Sequence, residues 1–342
     1  MRLGLIAYAE NTGLGSQTKA YYDHLKPAYT MLLDRSNALD PRVFYPLRYP
    51  DCHTVNGLPD ANQIEAMLRQ VDIVLMVETS PTQYLLKRAK QLGVKTVMVP
   101  NYEYFHRFKH KGFALPDYLL SATLWHLDDY PLPATYLPYP VELQPVDKAV
   151  DSGYNFLHVA GKPIYPDRNG TYTVLSSLEH IKSRVRVTVC CQDPSYIETL
   201  LPGAMARASN VELVVKGPVS DWQENYHGQD VLLLPRRFGG LCLPVNEALG
   251  FGMPVIMPDI SPNNQWLPAD WLLPAHKVSV RDMAKPVDIY EVGGRELAAM
   301  IDRLATDRDF FKKQVDVAMQ LRQDYSWDTL LPQYIQTLTA ML

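Results

Sequence analysis

The segment from Asp230 to Met257 constrains this chain most. Asp230-Val231-Leu232-Leu233-Leu234 reads as a buried strand. The loop Pro235-Arg236-Arg237-Phe238-Gly239-Gly240-Leu241-Cys242 follows it, then a helix from Leu243 carrying Glu247, then a second strand at Pro254 to Met257. A loop of small residues that opens a helix aims free backbone N–H groups at one point, with the positive end of the helix dipole behind them. That arrangement holds a phosphate. Glu247 lies one turn inside the same helix, where a carboxylate accepts hydrogen bonds from a ribose diol. Together these features predict a nucleoside-diphosphate site.

The same alternation runs along the whole chain. Leu3 to Tyr8 is a short apolar run, followed by Asn11-Thr12-Gly13-Leu14-Gly15-Ser16 and a helical stretch to His24. Tyr29 to Leu33, Val71 to Val77 and Val94 to Val99 read as strands, with helical spacing over Asp60 to Gln70 and Thr82 to Leu92. Pro131, Pro133, Pro138, Pro140 and Pro145 then mark an extended linker. The pattern restarts at Tyr154 to Ala160, with a helix over Gly170 to Ile181 and strands at Val185 to Cys190, Val211 to Val215 and Asp230 to Leu234. Short apolar runs separated by amphipathic helices predict parallel sheets covered on both faces. The expected fold class is α/β, with two Rossmann-like doubly wound domains and the ligand between them at the carboxyl ends of the strands. The domains are placed at residues 1–145 and 146–324, with residues 325–342 a separate C-terminal helix.

Composition agrees. A chain of 342 residues is long enough for two cores. With 47% hydrophobic and 20% charged residues it is globular rather than disordered. A net charge of −4 provides no general attraction to nucleic acid or anionic lipid. Cys52, Cys190, Cys191 and Cys242 show neither a CxxC nor a metal-ligand spacing, which fits buried thiols in a reducing compartment. Met1 leads straight into a strand, and no apolar run reaches the roughly 18–20 residues that span a bilayer. A soluble, cytoplasmic protein is expected.

The segment from Pro235 to Ile256 also resembles the signature of family 4 glycosyltransferases, the retaining group with the GT-B fold. Pro235, Gly240, Leu243, Glu247, Ala248, Pro254, Val255 and Ile256 match that pattern. The first glutamate of the family's Glu-x7-Glu pair falls on Gly239, so the contact it makes to the donor sugar or near the anomeric centre is missing here. The second, the ribose ligand, is Glu247. The resemblance further implies two diphosphate-binding cations after the first strand of the second domain, and Lys162 and Arg168 stand there. They would stabilise the charge of a leaving diphosphate without a metal, or they are simply solvated loop cations. The amides of Gly239, Gly240, Leu241, Cys242 and Leu243 would join them. Lys216-Gly217-Pro218 would lie against the base, Gly13-Leu14-Gly15 would face the phosphates from the first domain, and residues 325–342 would form the family's closing helix, which returns to the first domain. No third glycine completes a dinucleotide fingerprint at Gly13 and Gly15, and such a turn can equally serve close packing of helix on sheet.

Two motifs follow strands of the first half. Glu78-Thr79-Ser80-Pro81 and Asn101-Tyr102-Glu103 bring Glu78, Glu103 and Asn101 to strand ends, where a polar group orients an acceptor hydroxyl or takes its proton. Structural hydrogen bonds and helix capping are the competing readings. This half resembles a subgroup of family 4-like transferases often encoded by bacteriophages. Tyr104-Phe105-His106-Arg107-Phe108-Lys109-His110-Lys111 interleaves aromatics with bases, as in single-strand nucleic-acid sites, contacts to a membrane-surface acceptor or an acidic glycan, or a solvated helix with one aromatic face. Asp307-Arg308-Asp309 is the only Asp-x-Asp and falls in a helical stretch, so no metal site is expected.

The expectation is therefore a retaining, metal-independent hexosyl- or pentosyltransferase with no resident cofactor. It would take a nucleoside-diphosphate sugar and a hydroxyl acceptor on a glycan, protein, lipid head group or modified DNA base. A phage-type transferase acting on hydroxymethylated DNA bases and a non-catalytic nucleotide-sugar binder are the alternatives.

Overall fold

The computed structural model describes residues 1–10, 12–35, 49–105, 112–146, 153–162, 167–203 and 210–342. They divide into two units. Unit 1 contains Met1–Tyr139, Met283–Lys285 and Trp327–Leu342, and unit 2 contains Pro140–Asp282 and Pro286–Ser326.

Unit 1 is built on a parallel sheet of β1 (Leu3–Tyr8), β2 (Tyr29–Asp34), β3 (His53–Asn56), β4 (Ile73–Val77), β5 (Lys95–Val99), β6 (Tyr118–Ser121) and β7 (Ala134–Tyr136), in the order β3-β2-β1-β4-β5-β6-β7. Every residue of β1 and β4 is buried, which is why both read as continuous apolar runs. Helices α1 (Gly13–Leu25), α2 (Ala61–Leu68) and α3 (Gln83–Leu92) connect the strands. Asp60 and Gln63 start α2 with a reciprocal capping box, and Thr82 caps α3 by accepting from Leu85 N–H.

Unit 2 repeats the plan. Strands β8 (Asn155–Gly161), β9 (Val185–Cys191), β10 (Val211–Lys216), β11 (Val231–Leu233), β12 (Val255–Pro258) and β13 (Leu272–Leu273) pair in parallel in the order β10-β9-β8-β11-β12-β13. Helices α4 (Thr171–Ser177), α5 (Ser195–Leu200), α6 (Leu243–Gly250), α7 (Gly294–Thr306) and α8 (Arg308–Asp324) belong to this unit. Phe156, Val187, Leu232, Val255, Ile301 and Phe311 are among its core residues. Helix α9 (Trp327–Ala340) belongs to unit 1, where Tyr334 donates its hydroxyl to the Pro138 carbonyl at 3.0 Å and Trp327 meets the Tyr21 ring edge-on.

In both sheets the chain starts at the centre, winds to one edge, then returns and winds to the other. The strand order therefore reverses between β1 and β4, and between β8 and β11. The carboxyl ends of those strand pairs are where open α/β sheets hold ligands.

Several sequence expectations are corrected. Pro131 and Pro133 are not linker; they precede β7, an edge strand whose ladder tolerates proline on its approach. Gly13, Leu14 and Gly15 are not a turn before the helix but the first turn of α1, with Thr12 Oγ1 accepting from Gly15 N–H at 3.3 Å. Asp307 does not lie inside a helix; it caps α8 by accepting from Phe310 N–H at 3.0 Å. Strand β3 went unread because only Val55 of its four residues is buried. The antiparallel hairpin of β14 (Ala275–Asp282) and β15 (Pro286–Val292) went unread because β14 is largely exposed and its only alternation, Val278 and Val280, is short and faces solvent.

Candidate functional site

In unit 2 the reversal of strand order leaves a pocket of about 170 Å³ lined by Ala160, Lys162, Asp167, Arg168, Asn169, Tyr196 and Arg236. Ala160 and Lys162 come from the end of β8, and Arg236 from the end of β11. The walls are locked by short-range chemistry. Asn169 Nδ2 donates to the carbonyls of Val159 and Ala160, both at 3.1 Å, pinning its loop to β8. Asp167 accepts from Thr171 N–H at 3.0 Å and Tyr172 N–H at 2.7 Å, satisfying the first amides of α4. Gly170 sits at φ +73°, and a Cβ there would collide with the Pro235 carbonyl oxygen, so the two walls approach through a glycine.

His158 is fully buried beneath the pocket. Its ring nitrogens lie 2.8 Å from the Leu233 carbonyl oxygen and 2.9 Å from Thr171 Oγ1, tying β8 to β11 and to α4. Burial lowers its pKa, so it stands neutral and acts as a strut.

Lys162 and Arg168 are thus brought together, with Lys162 exposed and Arg168 half-buried. The Arg168 guanidinium lies 5.0 Å from the centre of the Phe238 ring, and its carbonyl accepts from Arg237 N–H at 2.9 Å. Gly239 lies at φ +119°, a conformation that favours glycine. A Cβ there would collide with Arg168 Nη2 and stand 2.5 Å from Arg236 Nη2. The left-handed backbone favours glycine at this position, and the guanidinium ends of two arginines occupy the space beside it. Asp259, a possible substitute carboxylate, lies beyond β12 and accepts from Asn264 Nδ2 at 2.9 Å.

Past Gly239, Gly240 and Leu241 lead to Cys242, the residue before α6. Leu243 opens the helix, Pro244 has no N–H to offer, and Val245 N–H is engaged by the Cys242 carbonyl at 2.9 Å. Glu247, half-buried, accepts from Tyr226 OH at 2.5 Å. Tyr226 is stacked on Phe251 and edge-on to Trp222. Burial pushes the Glu247 carboxyl up to about 7, opposed by the tyrosine hydroxyl that stabilises its anion. Lys216 ends β10 and Gly217 follows it, on the sheet edge two strands from β8 and outside the residues lining the pocket.

Unit 1 holds a different cluster at its own reversal point. Glu10, just past β1, is buried and receives Arg35 Nε at 2.7 Å and Nη2 at 3.1 Å. The same guanidinium lies 4.5 Å from the centre of the Tyr8 ring. Glu78 follows β4 at φ +65°, donates its N–H to the Val99 carbonyl at 2.8 Å and lies near enough for its charge to raise the pKa of Tyr8 and Arg35. Burial raises Tyr8 to about 12. Asn101 is half-buried before the 3-10 turn Tyr102–Tyr104. Glu103, in that turn, is buried rather than presented at the strand end, and its carbonyl accepts from Ala284 N–H at 3.2 Å.

Sequence reasoning passed over Arg236, His158, Tyr226, Glu10 and Arg35. Arg236 carried a usable signal, since it stands directly after a buried strand. The others become visible only with the strand order. Residues 106–111 of the aromatic and basic run lie outside the described residues. Among the described residues, no group of three or more His, Cys, Asp or Glu side chains is placed to hold a metal, and no helix is long and apolar enough to cross a membrane.

No family model matches the chain, and no curated protein matches its sequence. Solved structures do. The chain superposes over its full length on all of the lipopolysaccharide outer core galactosyltransferase WaaB in its apo form, with a TM-score of 0.66 and 13% identity. It also covers all of the sucrose-phosphate synthase of Thermosynechococcus elongatus, again over its own full length, with a TM-score of 0.68 and 13% identity. It matches HepE of Anabaena in complex with UDP and glucose over 99% of this chain and 100% of that one, with a TM-score of 0.64 and 10% identity. Likeness at such identities establishes the fold. The chain has two Rossmann-like parallel-sheet units of the kind found in GT-B glycosyltransferase structures.

Proposed function

We propose that this protein is a retaining glycosyltransferase that moves a hexosyl or pentosyl group from a nucleoside-diphosphate sugar to a hydroxyl acceptor, with neither metal nor resident cofactor. The observation that carries this reading is the cationic pocket at the β8/β11 reversal point, where Lys162 and Arg168 meet beside the loop leading to Glu247. UDP and glucose, held by the similar HepE structure, are ligands of the class this pocket suits.

In the proposed reaction, Glu247 accepts hydrogen bonds from the ribose diol, and the free amides near Gly240 and Leu241 join Lys162 and Arg168 on the diphosphate. The bond from the anomeric carbon to the diphosphate oxygen breaks, and its electron pair stays on that oxygen. The acceptor hydroxyl oxygen forms the new bond on the same face, and its proton passes to the departing diphosphate. Cations fixed before the reaction stabilise the developing charge without reorganising. On the acceptor side, Glu78, after β4, is the leading candidate to orient the hydroxyl, with Asn101 and Glu103, after β5, the further candidates.

A thermal-shift panel of nucleoside diphosphates and nucleotide sugars, with and without Mg²⁺, tests the reading. A ligand at a hundred times its dissociation constant should stabilise the fold by about 2.7 kcal/mol, a shift of a few degrees. Selective stabilisation by one diphosphate and its sugar, independent of Mg²⁺, is expected. Failure of every nucleotide to move the melting point would overturn the reading. Binding with no transfer to a broad acceptor set, DNA with hydroxymethylated bases included, would leave a nucleotide-sugar binder instead. An inverted anomer in the product, read by NMR, would overturn retention.

A further inference from the structure

The pocket holds one more cation than the proposed function uses. Arg236 is 8% exposed and lines the pocket with Lys162 and Arg168. Among the described residues its side chain makes a single hydrogen bond, Nε to the Phe238 carbonyl oxygen at 2.9 Å, and no carboxylate lies within ion-pair reach. That bond fixes the guanidinium plane and leaves the Nη groups to the pocket. Because the space of a Cβ on Gly239 is shared by Arg168 Nη2 and Arg236 Nη2, these two nitrogens lie within about 5 Å of each other. Asp167, the one acid lining the pocket, has its oxygens engaged by the amides of Thr171 and Tyr172. A buried cation held against a like charge is costly unless an anion arrives to pair with it.

We propose that Arg236 is a catalytic contact to the leaving diphosphate, matched to the charge that appears during the reaction rather than to the charge already on the donor. This rests on the glycosyltransferase reading above. The diphosphate of a nucleotide sugar carries two negative charges, which Lys162 and Arg168 balance. As the anomeric carbon–oxygen bond breaks, its electron pair becomes a third charge on the outer phosphate, until the acceptor proton reaches it. Arg236 is the third cation. An interaction that strengthens only as that charge develops raises kcat and leaves donor binding little changed.

The proposal distinguishes product from donor, so binding alone can test it. Calorimetry would use UMP, UDP and UDP-glucose, with GMP, GDP and GDP-mannose as the second set, on the wild type and on Arg236→Gln, Arg236→Lys and Arg168→Gln. The wild type should hold the free diphosphate about tenfold more tightly than its sugar ester, the scale of one charge-assisted hydrogen bond. Arg236→Gln should erase that difference, weakening the diphosphate about tenfold while the sugar ester and the monophosphate change less than about threefold. Arg236→Lys should restore part of it, and melting curves report the folding of each variant separately. With an acceptor in hand, kcat should fall much more than KM changes. Equal weakening of all three ligands, or none, in Arg236→Gln would overturn the proposal while Arg168→Gln still reports on the diphosphate site. Absence of any nucleotide binding by the folded wild type would overturn the glycosyltransferase reading and this proposal with it.

Discussion

The two reversal points have the same strand order and opposite electrostatics. At β1 and β4 two acids face one cation: Glu10 is buried, Arg35 grips both of its oxygens and lies over the Tyr8 ring, and Glu78 stands near them. At β8 and β11 cations outnumber the one lining acid, and that acid is spent on backbone amides. Topology supplies the same reversal twice, and the charge balance is what singles out the one proposed here to hold an anion. An arginine whose partner is part of the fold serves stability, and one without such a partner waits for a ligand.

The largest expected effect breaks the first half of this comparison. Arg35→Met leaves a carboxylate whose side chain is only 2% exposed without its partner. Removing one member of a buried pair costs about 3 kcal/mol, taken at the low end because Arg35 is itself a third exposed. Urea unfolding measures it, and a loss below about 0.5 kcal/mol would mean the pair is a surface contact in disguise. Nearly as large, and confined to unit 2, is Arg168→Gln. It should weaken nucleoside-diphosphate binding about a hundredfold, equivalent to about 2.7 kcal/mol, while Arg35→Met leaves it within about threefold. If both variants weaken binding equally, the two reversal points do not differ as argued.

How much of this was legible in the sequence follows from burial. Strands β1, β4 and β11 are buried along their whole lengths and announce themselves as apolar runs. Strand β3 has one buried residue, β7 has none fully buried, and β14 faces water, so period and composition carry no signal there. The site divides in a similar way. Lys162 and Arg168 could be named because they stand where the family resemblance implies two cations after a readable strand, and the structure puts them in one pocket. Lys216 and Gly217 follow an equally readable strand, yet it proves to be the sheet edge. Glu10 and Arg35 meet only because β1 and β2 are neighbours. Which strand lies beside which is the information that local patterns lack.

Glu247 sharpens the comparison through pH. Its carboxyl is raised from the ordinary 4.5 to about 7 in the folded protein. Between those values the folded state keeps a proton that the unfolded chain has lost. The contribution is therefore most favourable below about 4.5, declines as pH rises, and is exhausted above about 7. For a half-buried group the loss is set at about 2 kcal/mol. The stability difference between wild type and Glu247→Gln should change by that amount between about pH 5 and pH 8. Because the ribose diol needs the anion as acceptor, nucleotide affinity should move the other way and weaken as pH falls below about 7. A pH-independent difference would show that the carboxyl is better solvated than its burial implies.

The smallest effect is the most discriminating. If Arg236 is unpaired by design, removing its charge should relieve the folded protein rather than harm it. Arg236→Met keeps most of the length and apolar stem while deleting a buried cation that lies near another. The ligand-free protein should be unchanged or more stable by about 1 kcal/mol, as found when unneeded buried charges are replaced by apolar groups and when active-site residues are traded for stability. Arg35→Met, the same substitution at the other reversal point, should do the opposite. Urea midpoints of the two variants, measured side by side without ligand, give the sign directly. A loss of more than about 1 kcal/mol in Arg236→Met would make its bond to Phe238 structural, and the two arginines would then differ in position but not in kind.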